Sequence, residues 1–87
     1  MPYIKPEERP PIDSAIQTLK QHVNNSGQLN YAITVLCQEC LKSKGINYEN
    51  LNSIVGVLEC AKLEFSRRKV APYENKKIEE NGDVNIL

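Results

Sequence analysis

Apolar side chains recur at helical intervals in three successive segments, and this periodicity constrains the fold of the 87-residue chain more than any other feature. In the first segment Ile12, Ala15, Ile16, Leu19 and Val23 fall at offsets 0, 3, 4, 7 and 11, one face of a 3.6-residue period. Ile12 or Asp13 opens this helix, with Asp13 suited to cap it, and Asn24-Asn25-Ser26-Gly27 breaks it. A second helix is expected over residues 28–44, with Leu29, Ala32, Ile33, Leu36, Cys37, Cys40 and Leu41 on one side. Gly45 is placed to end it in a left-handed conformation, and Lys42 and Lys44 suit the negative end of its dipole. Asn47 is suited to cap a third helix over residues 48–70, whose main face is Leu51, Ile54, Val55, Leu58, Ala61 and Phe65, before Pro72 kinks or ends it.

Four of the five prolines lie in residues 1–11, which are therefore expected to form an extended arm. Beyond Pro72, residues 73–80 suit a short helix with Pro72 at its first position and Gly82 past its end. A hairpin about Asn81-Gly82 competes, but it would set Glu79 opposite Val84 and Ile78 opposite Asn85, leaving no matched apolar pair. The fold class expected is all-α: a three-helix bundle-like domain with a proline-rich N-terminal arm and a short C-terminal helix or tail, divided into the arm (1–11), a single helical domain (12–80) and a C-terminal tail (81–87).

The apolar content is more than one small bundle needs. Gly56, Cys60 and Leu63 make a second stripe on the third helix, well over a right angle from the Leu51 and Leu58 side, and Tyr31 and Val35 lie off the main side of the second. Gly56 costs about 1 kcal/mol in a helix interior relative to alanine, which close approach of another backbone would explain. These features favour a homodimer, or an arm and tail wrapped over the helices.

The balance of 11 basic against 11 acidic residues removes the overall positive charge of a general nucleic-acid binder. No apolar run approaches the roughly 20 residues of a membrane span, and Met-Pro-Tyr-Ile-Lys-Pro-Glu-Glu-Arg-Pro lacks the order of a signal peptide. A cytoplasmic protein with three reduced cysteines is expected, without a membrane partner.

Cys37-Gln-Glu-Cys40 places two thiols on one helical face, and Cys60 with His22 would complete four zinc ligands. Both Cys37 and Cys40 occupy core positions of the apolar pattern, however, and no second close ligand pair exists, so neither a metal nor any cofactor is expected. The lone His22 reads as a boundary histidine, since no nucleophile is identifiable near it. Glu59 and Glu64 are five apart and diverge, and the only aspartates, Asp13 and Asp83, are near the ends, which disfavours a helical magnesium phosphohydrolase. No glycine-rich phosphate loop is present. Between Ser66 and Lys77, Arg67, Arg68, Lys69, Lys76 and Lys77 are opposed by Glu74 alone. With Tyr73 to stack on a base, this stretch could hold a single strand weakly, though the same charges are accounted for by pairing of Glu64 with Arg68 at i, i+4, by Lys69 at the helix end, and by Lys76 and Lys77 meeting Glu79 and Glu80.

Several stretches carry a resemblance: the N-terminal Met-Pro-Tyr-Ile-Lys-Pro-Glu-Glu-Arg-Pro, Leu29-Asn30-Tyr31-Ala32-Ile33-Thr34, and the block from Gly56 to Phe65 continuing through Arg67-Arg68, Ala71-Pro72-Tyr73-Glu74 and Glu80-Asn81-Gly82-Asp83-Val84. Over nearly its whole length the chain resembles a family of small uncharacterised bacterial and phage proteins. The resemblance implies a free-standing cytosolic polypeptide and transfers no activity; Asn85-Ile86-Leu87 looks like a departure from it.

The function expected is a non-catalytic interaction or regulatory module that self-associates, with a protein partner as a further possibility and catalysis disfavoured. The alternatives are an enzyme or binding protein for a nucleotide or other anionic metabolite at a dimer interface, and a weak nucleic-acid binder through residues 67–77. If a ligand site exists, Glu59, Glu64, Arg67, Arg68, Tyr73 and Glu74 compose it, as a polar groove near Pro72 that takes a small anion or a peptide, with paired donors from the arginines. Replacing Arg67 and Arg68 together by alanine is then expected to abolish binding while leaving the melting temperature nearly unchanged. A collapse of stability instead would mark the arginines as structural.

Overall fold

The structure is a computed structural model and describes residues 2–85. Four α-helices follow in chain order: α1 (Arg9–Lys20), α2 (Ser26–Lys44), α3 (Tyr48–Phe65) and α4 (Ala71–Asn81). No strand occurs among the described residues, so the chain is all-α.

The proline-rich segment corrects the expectation of an extended arm over residues 1–11. Lys5 is extended, but a 3-10 turn (Pro6–Glu8) follows it and leads into α1, which begins at Arg9. Prolines are tolerated because Pro6, Pro10 and Pro11 lie in first turns, where a backbone N–H would have no partner in the helix. Asp13 consequently lies inside α1 and caps nothing.

The second and third helices start on asparagine caps. The Asn25 side chain accepts from the Gln28 N–H at 2.8 Å, while the Gln28 side chain accepts from the Asn24 N–H at 2.7 Å, so two otherwise orphaned donors are satisfied across one turn. This cap starts α2 two residues before the expected position, inside the stretch read as a breaker. Asn47 caps α3 by accepting from the Asn50 N–H at 2.8 Å. The Asn50 amide in turn donates to the carbonyls of Lys44 and Gly45 at 3.2 and 2.9 Å, closing the α2–α3 turn at Gly45, whose φ of 101° suits glycine.

The third helix was expected to run on to residue 70, and it does so with a change of pitch. Residues Ser66–Val70 form a π-helical segment in which the Ala71 N–H reaches back to the Ser66 carbonyl, and α4 follows without a break. Pro72 has no N–H for the Arg68 carbonyl and its ring crowds the preceding turn, so a widened turn just before it keeps the rod continuous. At about 1.5 Å per residue the run from 48 to 81 is about 50 Å long. The long axis of the molecule measures 49 Å, so this rod spans it. The hairpin about Asn81-Gly82 does not form: α4 extends to Asn81 and stops at Gly82 with φ of 82°.

Packing departs furthest from expectation. Among the described residues none is buried, and the expected core positions Leu29, Ile33, Leu36, Leu51, Val55 and Leu58 are all exposed. Val23, Ala32, Val35, Cys37, Leu41, Asn50, Ile54 and Glu64 are only half-buried. Val35, which lies off the main stripe of α2, is thus better covered than Leu36 on it, and Cys40 is exposed rather than core. Among the described residues, side-by-side pairing of helices is limited to α2 with α3; α1 approaches no other α-helix within 8 Å, Cα to Cα.

Two magnitudes measure the openness. The radius of gyration is 17.1 Å, where a compact domain of 87 residues has about 12 Å. The accessible surface is 7926 Å², about 2,700 Å² more than a folded monomer of this mass exposes.

Gly56 bears on the same point. Nothing lies within 4 Å of the place a Cβ would occupy there, so the close backbone approach that would explain it is not made within the chain. Gly56→Ala is expected to stabilise α3 by up to about 1 kcal/mol, read as a higher melting temperature by circular dichroism. A lower one would show that something outside the chain comes close at this position.

Candidate functional site

The first residues of the chain meet the end of α3 and the π-helical segment. The Ile4 N–H donates to the Pro2 carbonyl at 3.0 Å, and Arg9 donates through Nε and Nη2 to the Ile4 carbonyl at 3.1 and 2.7 Å. With its own backbone folded in this way, the segment projects Tyr3 onto α3, where Pro2 and Tyr3 line a shallow depression with Ala61, Glu64, Phe65 and Arg68. The Tyr3 hydroxyl donates to Glu64 Oε1. Arg67 Nη2 donates to the same oxygen at 2.7 Å and to the Tyr3 oxygen at 3.1 Å, and Arg68 Nε lies 3.4 Å from Glu64 Oε1. Both arginines reach one carboxylate because they stand three and four residues beyond Glu64 on a helical surface.

Glu64 is half-buried, with 22% of its side chain exposed, while the arginines extend into solvent. The Tyr3 hydroxyl bond is the largest influence holding the Glu64 carboxyl below its ordinary pKa near 4.5. Partial withdrawal from water opposes it, and the positive charges of Arg67 and Arg68 add to the lowering.

Of the six residues singled out as a possible ligand site, the structure gathers Glu64, Arg67 and Arg68. Glu59 pairs with Lys62 at 3.1 Å, and Tyr73 lies under the Lys77 ammonium, 5.5 Å from ring centre to nitrogen. Glu74 lies in the first turn of α4. The expected Glu64–Arg68 pairing is present, and of the tail pairs Lys77 meets Glu80 at 3.1 Å. Sequence reasoning missed Tyr3. Its signal was a single amphipathic ring in a segment otherwise made of Pro, charged residues and Ile4, the kind of side chain that anchors with its ring and bonds with its hydroxyl.

Among the described residues no three His, Cys, Asp or Glu side chains gather as a metal site, and Cys37, Cys40 and Cys60 are free thiols. Among the described residues no helix is long and apolar enough to cross a membrane. A separate groove runs along the seam between α2 and α3. Cys37, Leu41 and Ile54 form its floor, and Leu36, Cys40, Ser53 and Val57 its sides.

These features define a class: a small all-α chain whose two central helices start on asparagine caps and whose helices share little interior, with a polar latch between its N-terminal segment and the middle of its longest rod. The chain belongs to the DUF6899 family, a domain of unknown function, which it matches over residues 1–84. No curated protein and no solved structure matches it.

The latch is pH-dependent with a defined sign. Because the folded state lowers the Glu64 pKa, the contact contributes fully above the ordinary carboxyl value and is lost as pH falls through the lowered one. In an NMR titration of the Glu64 carboxyl, Tyr3→Phe is expected to move the midpoint up toward the ordinary value. An unchanged midpoint in that variant would show that the tyrosine does not hold the carboxylate.

Proposed function

We propose that this protein is a non-catalytic interaction module that self-associates, its helices completing in a homo-oligomer the interior that the single chain lacks. The observation that carries this reading is the absence of any buried residue among residues 2–85, in a chain that is 40% hydrophobic. Exposed Leu36, Tyr31, Val57, Leu63 and Phe65 are each more than half accessible. In proteins most helical stability comes from an amphipathic face packed against something rather than from intrinsic propensity.

A cytoplasmic setting and a bacterial or phage origin accompany this proposal; the first is in keeping with free thiols and the second with the resemblance drawn from the N-terminal and Gly56–Glu74 stretches. The anionic-ligand reading draws less support. Arg67 and Arg68, its supposed donors, both face Glu64, so an anion would compete with an internal carboxylate for them. The single-strand reading is weakened similarly, because Tyr73 is already beside Lys77.

Self-association makes stability depend on concentration. The melting temperature followed by circular dichroism is expected to rise over a hundredfold increase in protein concentration, and sedimentation equilibrium is expected to give a mass above that of one chain at micromolar concentration. A single-chain mass throughout, with a melting temperature independent of concentration, sinks the proposal.

A further inference from the structure

We infer that the groove between α2 and α3 is where a second copy of this chain seats, hairpin against hairpin about a two-fold axis, so that α2 and α3 of each copy make a four-helix core. This rests on the self-association proposed above and adds the face.

The area favours a second copy as the occupant. The single chain exposes about 2,700 Å² beyond a compact monomer of its mass, whereas a standard protein–protein interface hides only roughly 800 Å² on each partner. A chain this size recovers such a deficit only by an interface of the obligate kind, which runs to roughly 1,000–2,500 Å² or more per partner. Another copy is the partner always present in equal amount, and its binding stabilises the fold by mass action. Charge permits the match: the chain has zero formal net charge, and the groove carries a single charged side chain, Lys44, at the end closed by the turn.

Geometry selects this groove over the one on the opposite side of the same seam. Both share Cys37, Leu41 and Ile54 as floor. On the side chosen, Leu36 and Val57 stand at the two rims, each 63% exposed, with Cys40 beside them. The other side is lined by apolar Ile33, Leu51, Val55 and Leu58, but there Thr34 and Gln38 on α2 are polar groups that a dry interface would have to satisfy, whereas the polar lining of the side chosen is Lys44 and Asn50 at the turn, with the Asn50 amide already bonded there, and Ser53. A seam flanked by two raised apolar rims is self-complementary under a two-fold rotation: the Leu36 and Val57 of one copy enter the groove of the other, as in helical bundles.

The natural thiols give a test that needs no variant. Cys40 lines the groove and is exposed in the single chain. Its alkylation by iodoacetamide, followed by mass spectrometry of the full-length protein's peptides, is expected to slow at least about tenfold from nanomolar to high micromolar protein as the groove is covered. Val57→Glu is expected to weaken association roughly a hundredfold or more, since a charge enters the interface twice. Val55→Glu, on the opposite groove, is expected to leave the oligomer intact. If wild-type protein is a single chain at every concentration, both the inference and the self-association fall. If it is an oligomer but Cys40 reacts equally fast at all concentrations, or Val55→Glu dissociates it as readily as Val57→Glu, the face assigned is wrong and self-association stands.

Discussion

A helix is stable in water when its apolar face is withdrawn from it, and every feature of this chain follows from how little of that withdrawal happens within one copy. The helices are well formed for local reasons: asparagine caps at Asn25 and Asn47, prolines in first turns, glycines with positive φ at Gly45 and Gly82. Each such device is worth about 1 kcal/mol. That scale decides where a chain starts and stops turning, but it does not offset the conformational entropy lost by dozens of ordered residues. The missing contribution is burial, and the exposed sides of α2 and α3 show where it is missing.

The long rod of α3, the π-helical segment and α4 is the frame on which the remaining features depend. Pro72 would ordinarily interrupt a helix, and the widened turn from Ser66 to Val70 absorbs the disruption before it. Arg67 and Arg68 lie in that segment, one turn after Glu64, so the change of pitch and the polar latch share residues. Tyr3 closes the latch from the far end of the sequence, so the N-terminal segment is fastened to the middle of the rod by polar contacts rather than by a buried face.

The apolar groove and the latch answer to different forces. Burial at the groove is non-directional and scales with area, whereas the latch depends on the ionised state of one carboxylate and is open to solvent screening. Either can therefore be lost without the other. Membership of a family without an assigned role leaves these two surfaces as the chemistry from which a role has to be read.

The periodicity of Ile12 to Val23, Leu29 to Leu41 and Leu51 to Phe65 determined that the chain is helical, and Asn47, Gly45 and Gly82 determined where several helices begin or end, because such signals act within one turn. The pairing of Glu64 with Arg68 was legible for the same reason. The proline-rich start misled: prolines read as extended chain, but at first-turn positions they cost a helix nothing. Only the tertiary structure decided that Tyr3 meets Glu64 across sixty-one positions of sequence, that Cys40 and Leu36 remain in solvent, and that α1 has no helical neighbour. Apolar periodicity says which side of a helix seeks cover, and it is silent on whether the cover belongs to the same chain.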